Sequence, residues 1–116
     1  MVTKNSDFYK PLVNSLNRID NVESAFIASA SGFYMSGEAE DKEAAQDLAG
    51  ITAAFASDVN NYAMHLSNEA AGIGFMLLKS GFIVFGQLPE ETFVVAKAAG
   101  MKNMGEIIRE IRKYAE

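Results

Sequence analysis

The chain has 116 residues, no cysteine, and a net charge of −5 from 10 basic and 15 acidic side chains. That length makes a single domain, residues 1–116, with a real core but no room for two. The missing cysteines exclude disulfides, a thiolate nucleophile and a Cys-based metal site, and the acidic balance weighs against nucleic acid, whose phosphates are met by clustered Lys and Arg.

The first residues, "MVTKNSDFYK", lack the apolar segment of a signal peptide. The longest apolar run, Ala70 to Leu78, is too short to span a bilayer. A soluble, cytoplasmic protein is the expectation. "DFYKPLVNSLNRI" places Phe8, Leu12, Leu16 and Ile19 on one helical face, with Ser6 or Asp7 as caps and Pro11 limiting how early the helix starts. "VESAFIAS" reads as a strand, "ASG" as a turn with Gly32 at positive φ, and "FYMSG" as the returning strand. The acidic loop "EAEDKE" suits the start of a helix.

That helix, Ala44 to Leu66, carries two apolar stripes. At about 100° per residue, Leu48, Ile51, Phe55, Val59, Tyr62 and Leu66 share one face, with Ala45, Ala49, Thr52, Ala53, Ala56, Asn60 and Ala63 beside them. The bulky stripe is expected on the sheet. The small stripe then lacks a partner inside the domain, and a second copy crossing antiparallel about a two-fold axis would supply one. The bland alternative is that alanine merely favours helix and faces water. The remaining surface, with Glu43, Asp47, Gly50, Ala54, Ser57, Asp58, Asn61 and His65, is expected in solvent as an acidic, shallow partner-binding platform.

Three short runs follow: "GIGFMLLK", "FIVFGQ" and "TFVVAKA". Ser80-Gly81 and "LPEE" separate them, and their apolar residues at both odd and even positions imply a sheet covered on both faces. "MGEIIREIRKYAE" ends the chain as a helix presenting Met104, Ile107, Ile108, Ile111 and Ala115, its basic residues alternating with Glu106, Glu110 and Glu116 as on a solvated face. The order α-β-β-α-β-β-β-α predicts an α+β fold of three layers. A mainly antiparallel five-stranded sheet would carry the long helix on one face and the terminal helices on the other.

Catalytic patterns are lacking. His65 has no acid–base partner at a recognisable spacing. Ser29, Ser31 and Ser36 flank a glycine turn without forming a G-x-S-x-G elbow. "GFYMSGE", "GFIVFGQ" and "GMKNMGE" have the glycine spacing of a P-loop, but Glu or Gln stands where its lysine must be. Glu38, Glu40, Asp41 and Glu43 lack calcium-loop spacing. Met76 and Met104 are expected as core filling, although Met35, Met76, Met101 and Met104 together would also suit a pliable recognition surface. No enzyme, no metal and no cofactor is expected.

Nearly the whole chain resembles the Roadblock/dynein light chain family. "VESAFIASASGFYMSG" is similar to that family's first hairpin, and "ETFVVAKAAGMKNMGEIIREIRKYA" to its last strand, loop and closing helix with Gly105 at the helix start. The resemblance implies a Roadblock/profilin-like fold and a homodimer, or a heterodimer with a second Roadblock-like chain. The third strand, about Gly72 to Lys79 with Ile73, Phe75 and Leu77, would pair with its counterpart. It also implies a non-enzymatic scaffold or regulator that binds a Ras-like small GTPase; the acidic balance and the short apolar run leave no nucleic acid and no membrane insertion expected. The alternative is a related longin-, profilin- or PAS-like sensor domain that binds a peptide or small ligand as a monomer. Against a PAS-like pocket, the last strands offer few inward polar groups beyond Lys79, Gln87, Thr92 and Lys97.

Overall fold

The computed structural model describes residues 8–38 and 41–115, so the caps expected at Ser6 or Asp7 lie outside the described residues, as does Glu40. The elements run α1 (Lys10–Asn17), β1 (Val22–Ser29), β2 (Tyr34–Glu38), α2 (Lys42–Ser67), β3 (Ile73–Leu77), β4 (Gly81–Leu88), β5 (Thr92–Ala99) and α3 (Met104–Arg112). The expected order is met. All strand pairs are antiparallel, in the spatial order β2-β1-β5-β4-β3.

Local chemistry sets several boundaries. Pro11 sits in the first turn of α1, where its missing N–H costs nothing. Phe8, expected on the buried face, precedes that helix and stands in solvent; Tyr9 is buried instead, edge-on to Tyr114. The acidic loop supplies a true cap: Asp41 Oδ1 accepts from the backbone N–H of Glu43 and Ala44 at 3.0 and 3.1 Å. Asn68 in the left-handed region (φ 58°) closes the far end of α2, its N–H bonded to the Met64 carbonyl. Ser29 Oγ accepts from Phe33 N–H and contacts Ser31 Oγ, so these serines organise the β1–β2 turn.

Strand alternation divides the core into two layers. On one face Ala25, Ile27, Phe82, Val84, Val94 and Ala96 meet Leu12 and Leu16 of α1 and Ile107 and Ile111 of α3, with Met104, Ile108 and Ala115 packed at its margin. On the other, Phe26, Phe85, Phe93 and Val95 meet α2. β4 and β5 are covered on both sides, as their unbroken apolar runs require. β3 departs from that expectation: it is an edge strand, and Phe75 and Leu77 remain exposed.

The orientation of α2 is the reverse of the one expected. Ala45, Ala49, Thr52 and Ala56, assigned from sequence to a second copy, are buried inside this chain. Ala45, Ala49 and Ala56 pack with Phe26, Phe85 and Phe93. The reason is complementary volume. Three phenylalanines rise from this face of the sheet, so the helix seats closely only through small side chains. The bulky stripe is displaced to one flank: Leu48, Phe55 and Val59 are half-buried, while Ile51, Tyr62 and Leu66 are 62%, 69% and 80% exposed. Length contributes too. The 26 residues of α2 span about 39 Å, whereas five strands cover only about 24 Å, so its last turns overhang the sheet.

Candidate interaction surface

The other flank of α2 is already occupied. Gln46 Nε2 donates to the Gly32 carbonyl at 2.8 Å, and Gln46 Oε1 accepts from Tyr34 N–H at 2.9 Å. Gly32 has φ +96°, and a Cβ built there would come 3.3 Å from the Gly50 Cα and 3.8 Å from the Ala53 Cβ. The turn therefore rests on the Gly50–Ala53 side of the helix. Asn60 Oδ1 accepts from Ala71 N–H at 2.9 Å, tying the overhanging helix to the segment before β3. Ala53, Asn60 and Ala63 are half-buried. The small stripe thus meets this chain's own sheet and turn, with a hollow of about 270 Å³ left between Ala53, Ala56 and Asn60 on the helix and Ala30, Gln87 and Phe93 below.

The bulky flank is open. Beneath it the register places Ser24, Lys97, Ile83 and Met76 in one row across four strands, all on the α2 face and all half-buried. Met76, expected as core filling, lies at the end of this row. The row makes a floor, and Leu48, Ile51, Phe55, Val59 and Tyr62 make a wall. Phe55 fixes that wall by standing edge-on to Phe85, ring centres 5.6 Å apart. Near the start of α2 the notch holds a hollow of about 400 Å³ between Leu48 and Ile51 on the helix and Ser24 and Lys97 on the sheet. Lys97 is held there by an ion pair with Glu23. At the side of the notch lies β3, whose outer edge carries no strand among the described residues.

Sequence reasoning missed Ile51, Tyr62, Met76, Ile83 and Lys97 as parts of one surface. The signal was present in Phe26, Phe85 and Phe93, which strand alternation puts on the face that meets α2 once the pairing is known. The outer surface of α2 carries Glu43, Asp47, Gly50, Ala54, Ser57, Asp58, Asn61 and His65, all exposed. Among the described residues there is no group of three or more His, Cys, Asp or Glu side chains placed to hold a metal ion. No helix among them is long and apolar enough to cross a membrane.

This arrangement has close structural counterparts. The Roadblock/LC7 domain from Streptomyces avermitilis superposes with a TM-score of 0.80 at 15% identity, covering 92% of this chain and 88% of that one. The chain has the Roadblock/LC7 fold. MglB of Myxococcus xanthus shares this Roadblock architecture with a TM-score of 0.74 at 15% identity, over 97% of this chain and 82% of its own. An MglB with a tetrameric arrangement gives 0.78 at 12% identity, over 93% and 82%. No family model matches the sequence, and no curated protein does either. The likeness to Roadblock domains therefore resides in the fold, with 12–15% identity in the sequence.

Proposed function

We propose that this chain is a non-enzymatic, dimeric Roadblock-type adaptor of the cytoplasm that binds a Ras-like small GTPase. The observation that carries the reading is the open notch beside α2, joined to the unpaired edge of β3. A second copy placed about a two-fold axis answers both at once. Its β3 continues the sheet, and its α2 lies antiparallel in the notch, Tyr62 and Leu66 of each copy against the Leu48 and Ile51 end of the other. Burying these side chains is favourable by about 25 cal/mol per Å² removed from water. The tetrameric arrangement of one MglB supports self-association in this fold.

The dimer interface of the proposal consists of the bulky flank, the Ile83–Met76 floor and the β3 edge near Ile73, Phe75 and Leu77. In such a pair the two outer surfaces of α2 lie side by side. Gly50 and Ala54 keep the centre shallow, while Glu43, Asp47 and Asp58 make the flanks acidic. The resemblance seen in the sequence points to a small GTPase as occupant of this platform, and complementary charge would speed its encounter.

Sedimentation velocity and a GTPase titration test the two halves separately. The wild-type chain is expected to sediment as a dimer at micromolar concentration. Asp47→Lys with Asp58→Lys is expected to remain a dimer and to bind the GTPase co-purifying from the native source at least several-fold more weakly. A monomeric wild type removes the dimer. Undiminished binding by the folded double variant moves the GTPase off the platform.

A further inference from the structure

The opposite face of the sheet holds an apolar strip that the proposed dimer leaves open. Ile73, Phe75 and Leu77 pair with Gly86, Val84 and Phe82, so alternation puts them on the side of α1 and α3. Ile73 is tucked against the core there, but Phe75 and Leu77 are 47% and 58% exposed. Pairing of β3 with a second β3 uses backbone groups along its edge. The second α2 would lie on the other face. The pairing sets Phe75 and Leu77 beside their counterparts but lays no element over this face, and contiguous exposed apolar surface of this kind marks a contact site.

The last helix supplies a wall with a distinct charge. Ile108, Arg112 and Ala115 face Ile73 and Phe75 across a groove of about 500 Å³. At about 100° per residue, Arg109 follows Arg112 outward on the same flank. The ion pairs among the described residues are Lys97–Glu23 and Lys113–Glu110, so neither Arg109 nor Arg112 has an acidic partner there. An apolar groove lined by the Arg112 guanidinium, with Arg109 beyond it and neither ion-paired among the described residues, complements an apolar stripe edged by carboxylates, in a chain of net charge −5.

We propose that this groove takes an amphipathic helix of a partner protein, with an apolar stripe on the β3 floor and acidic side chains toward Arg112 and Arg109. A helix suits the place because the floor is a sheet face already layered with helices, about 10 Å deep. An added strand would need the β3 edge, which the second copy takes. The choice of helix over strand thus rests on the dimeric reading; the groove itself belongs to one chain.

The probe is a fluorescein-labelled helical peptide of about 16 residues, with Leu at i, i+3, i+4 and i+7 and Glu on one flank. Its twin carries Lys in place of Glu. The Glu peptide is expected to bind about tenfold more tightly than the Lys twin and to shift the amide signals of Ile73, Phe75 and Ile108. Arg112→Glu is expected to reverse the preference. Equal binding of the two peptides, or shifts confined to α2, overturns the proposal. Sedimentation of the same samples separates the two readings. A monomeric wild type removes the dimer alone, and the peptides still decide the groove. If Arg112→Glu changes the size of the free assembly, the groove holds a second copy and the partner helix is excluded.

Discussion

The Cγ2 of Ile111 fills the space that a side chain on Gly86 would need: a Cβ built at Gly86 would lie 2.2 Å from it. The glycine in the middle of β4 is thus the seat of α3. Both residues are buried and Ile111 is branched at Cβ, so relief is not available by rotating a flexible tail. Gly86→Ala is expected to destabilise the fold by about 1–3 kcal/mol in urea titrations. In an Ile111→Ala background the same change should cost about 1 kcal/mol less. Equal costs in the two backgrounds would place the strain elsewhere.

The reversed orientation of α2 makes two neighbouring substitutions behave differently. Ala49 is fully buried over the sheet, and Ile51 stands on the open flank. Ala49→Arg puts a charge into the core and is expected to abolish cooperative melting, a loss of about 4 kcal/mol or more. Ile51→Glu should keep the far-ultraviolet spectrum and the melting transition of a folded chain while sedimenting as a monomer. A folded dimer from Ile51→Glu would remove the bulky flank from the interface.

Gln46 holds the β1–β2 turn at two points, through the Gly32 carbonyl and the Tyr34 N–H. Gln46→Ala leaves both backbone groups to water at a half-buried site. The expected cost is about 1–2 kcal/mol, with faster hydrogen exchange concentrated at Tyr34. Unchanged exchange there would mean that the turn is held by its own hydrogen bonds alone.

The cap at Asp41 is separable from any binding role of the acidic platform. Asp41→Ala removes the acceptor for two amide groups at the start of α2 and should cost about 1 kcal/mol. Asp41→Asn should retain most of that stability, because the side-chain oxygen remains. A similar loss in both variants would assign the effect to charge at the helix start.

The element order, the strand pairing direction and the buried face of the closing helix are all legible in the sequence, because each rests on a strong local signal. Turn chemistry marks Gly32 and "LPEE", and Ile107 and Ile111 recur at helical spacing. Pro11 marks the first turn of α1. The facing of α2 is not legible in the same way. Both its stripes are apolar, and which one is buried depends on the sizes of Phe26, Phe85 and Phe93, residues brought together only by the β1–β5 and β4–β5 pairings. The strip on β3 is hidden for a related reason. "GIGFMLLK" reads like a doubly covered strand, and only its place at the edge of the sheet leaves Phe75 and Leu77 in solvent.

The interior position of β1, between β2 and β5, has a consequence for how the chain is made. Its partner β5 comes late: the ion pair that links the two strands joins residues 74 positions apart. A ribosome working at about 5–20 residues per second needs several seconds to supply that stretch. A hairpin such as β1–β2 closes in about 1–10 μs once its residues are free. For those seconds the early hairpin has an open hydrogen-bonding edge on the β5 side of β1, although α1 is already made to cover Ile27 on one face and α2 follows to cover Phe26 on the other. The nascent chain therefore presents β1, an interior strand of the finished sheet, as an exposed edge, the form in which a holding chaperone or a neighbouring nascent copy would first meet it.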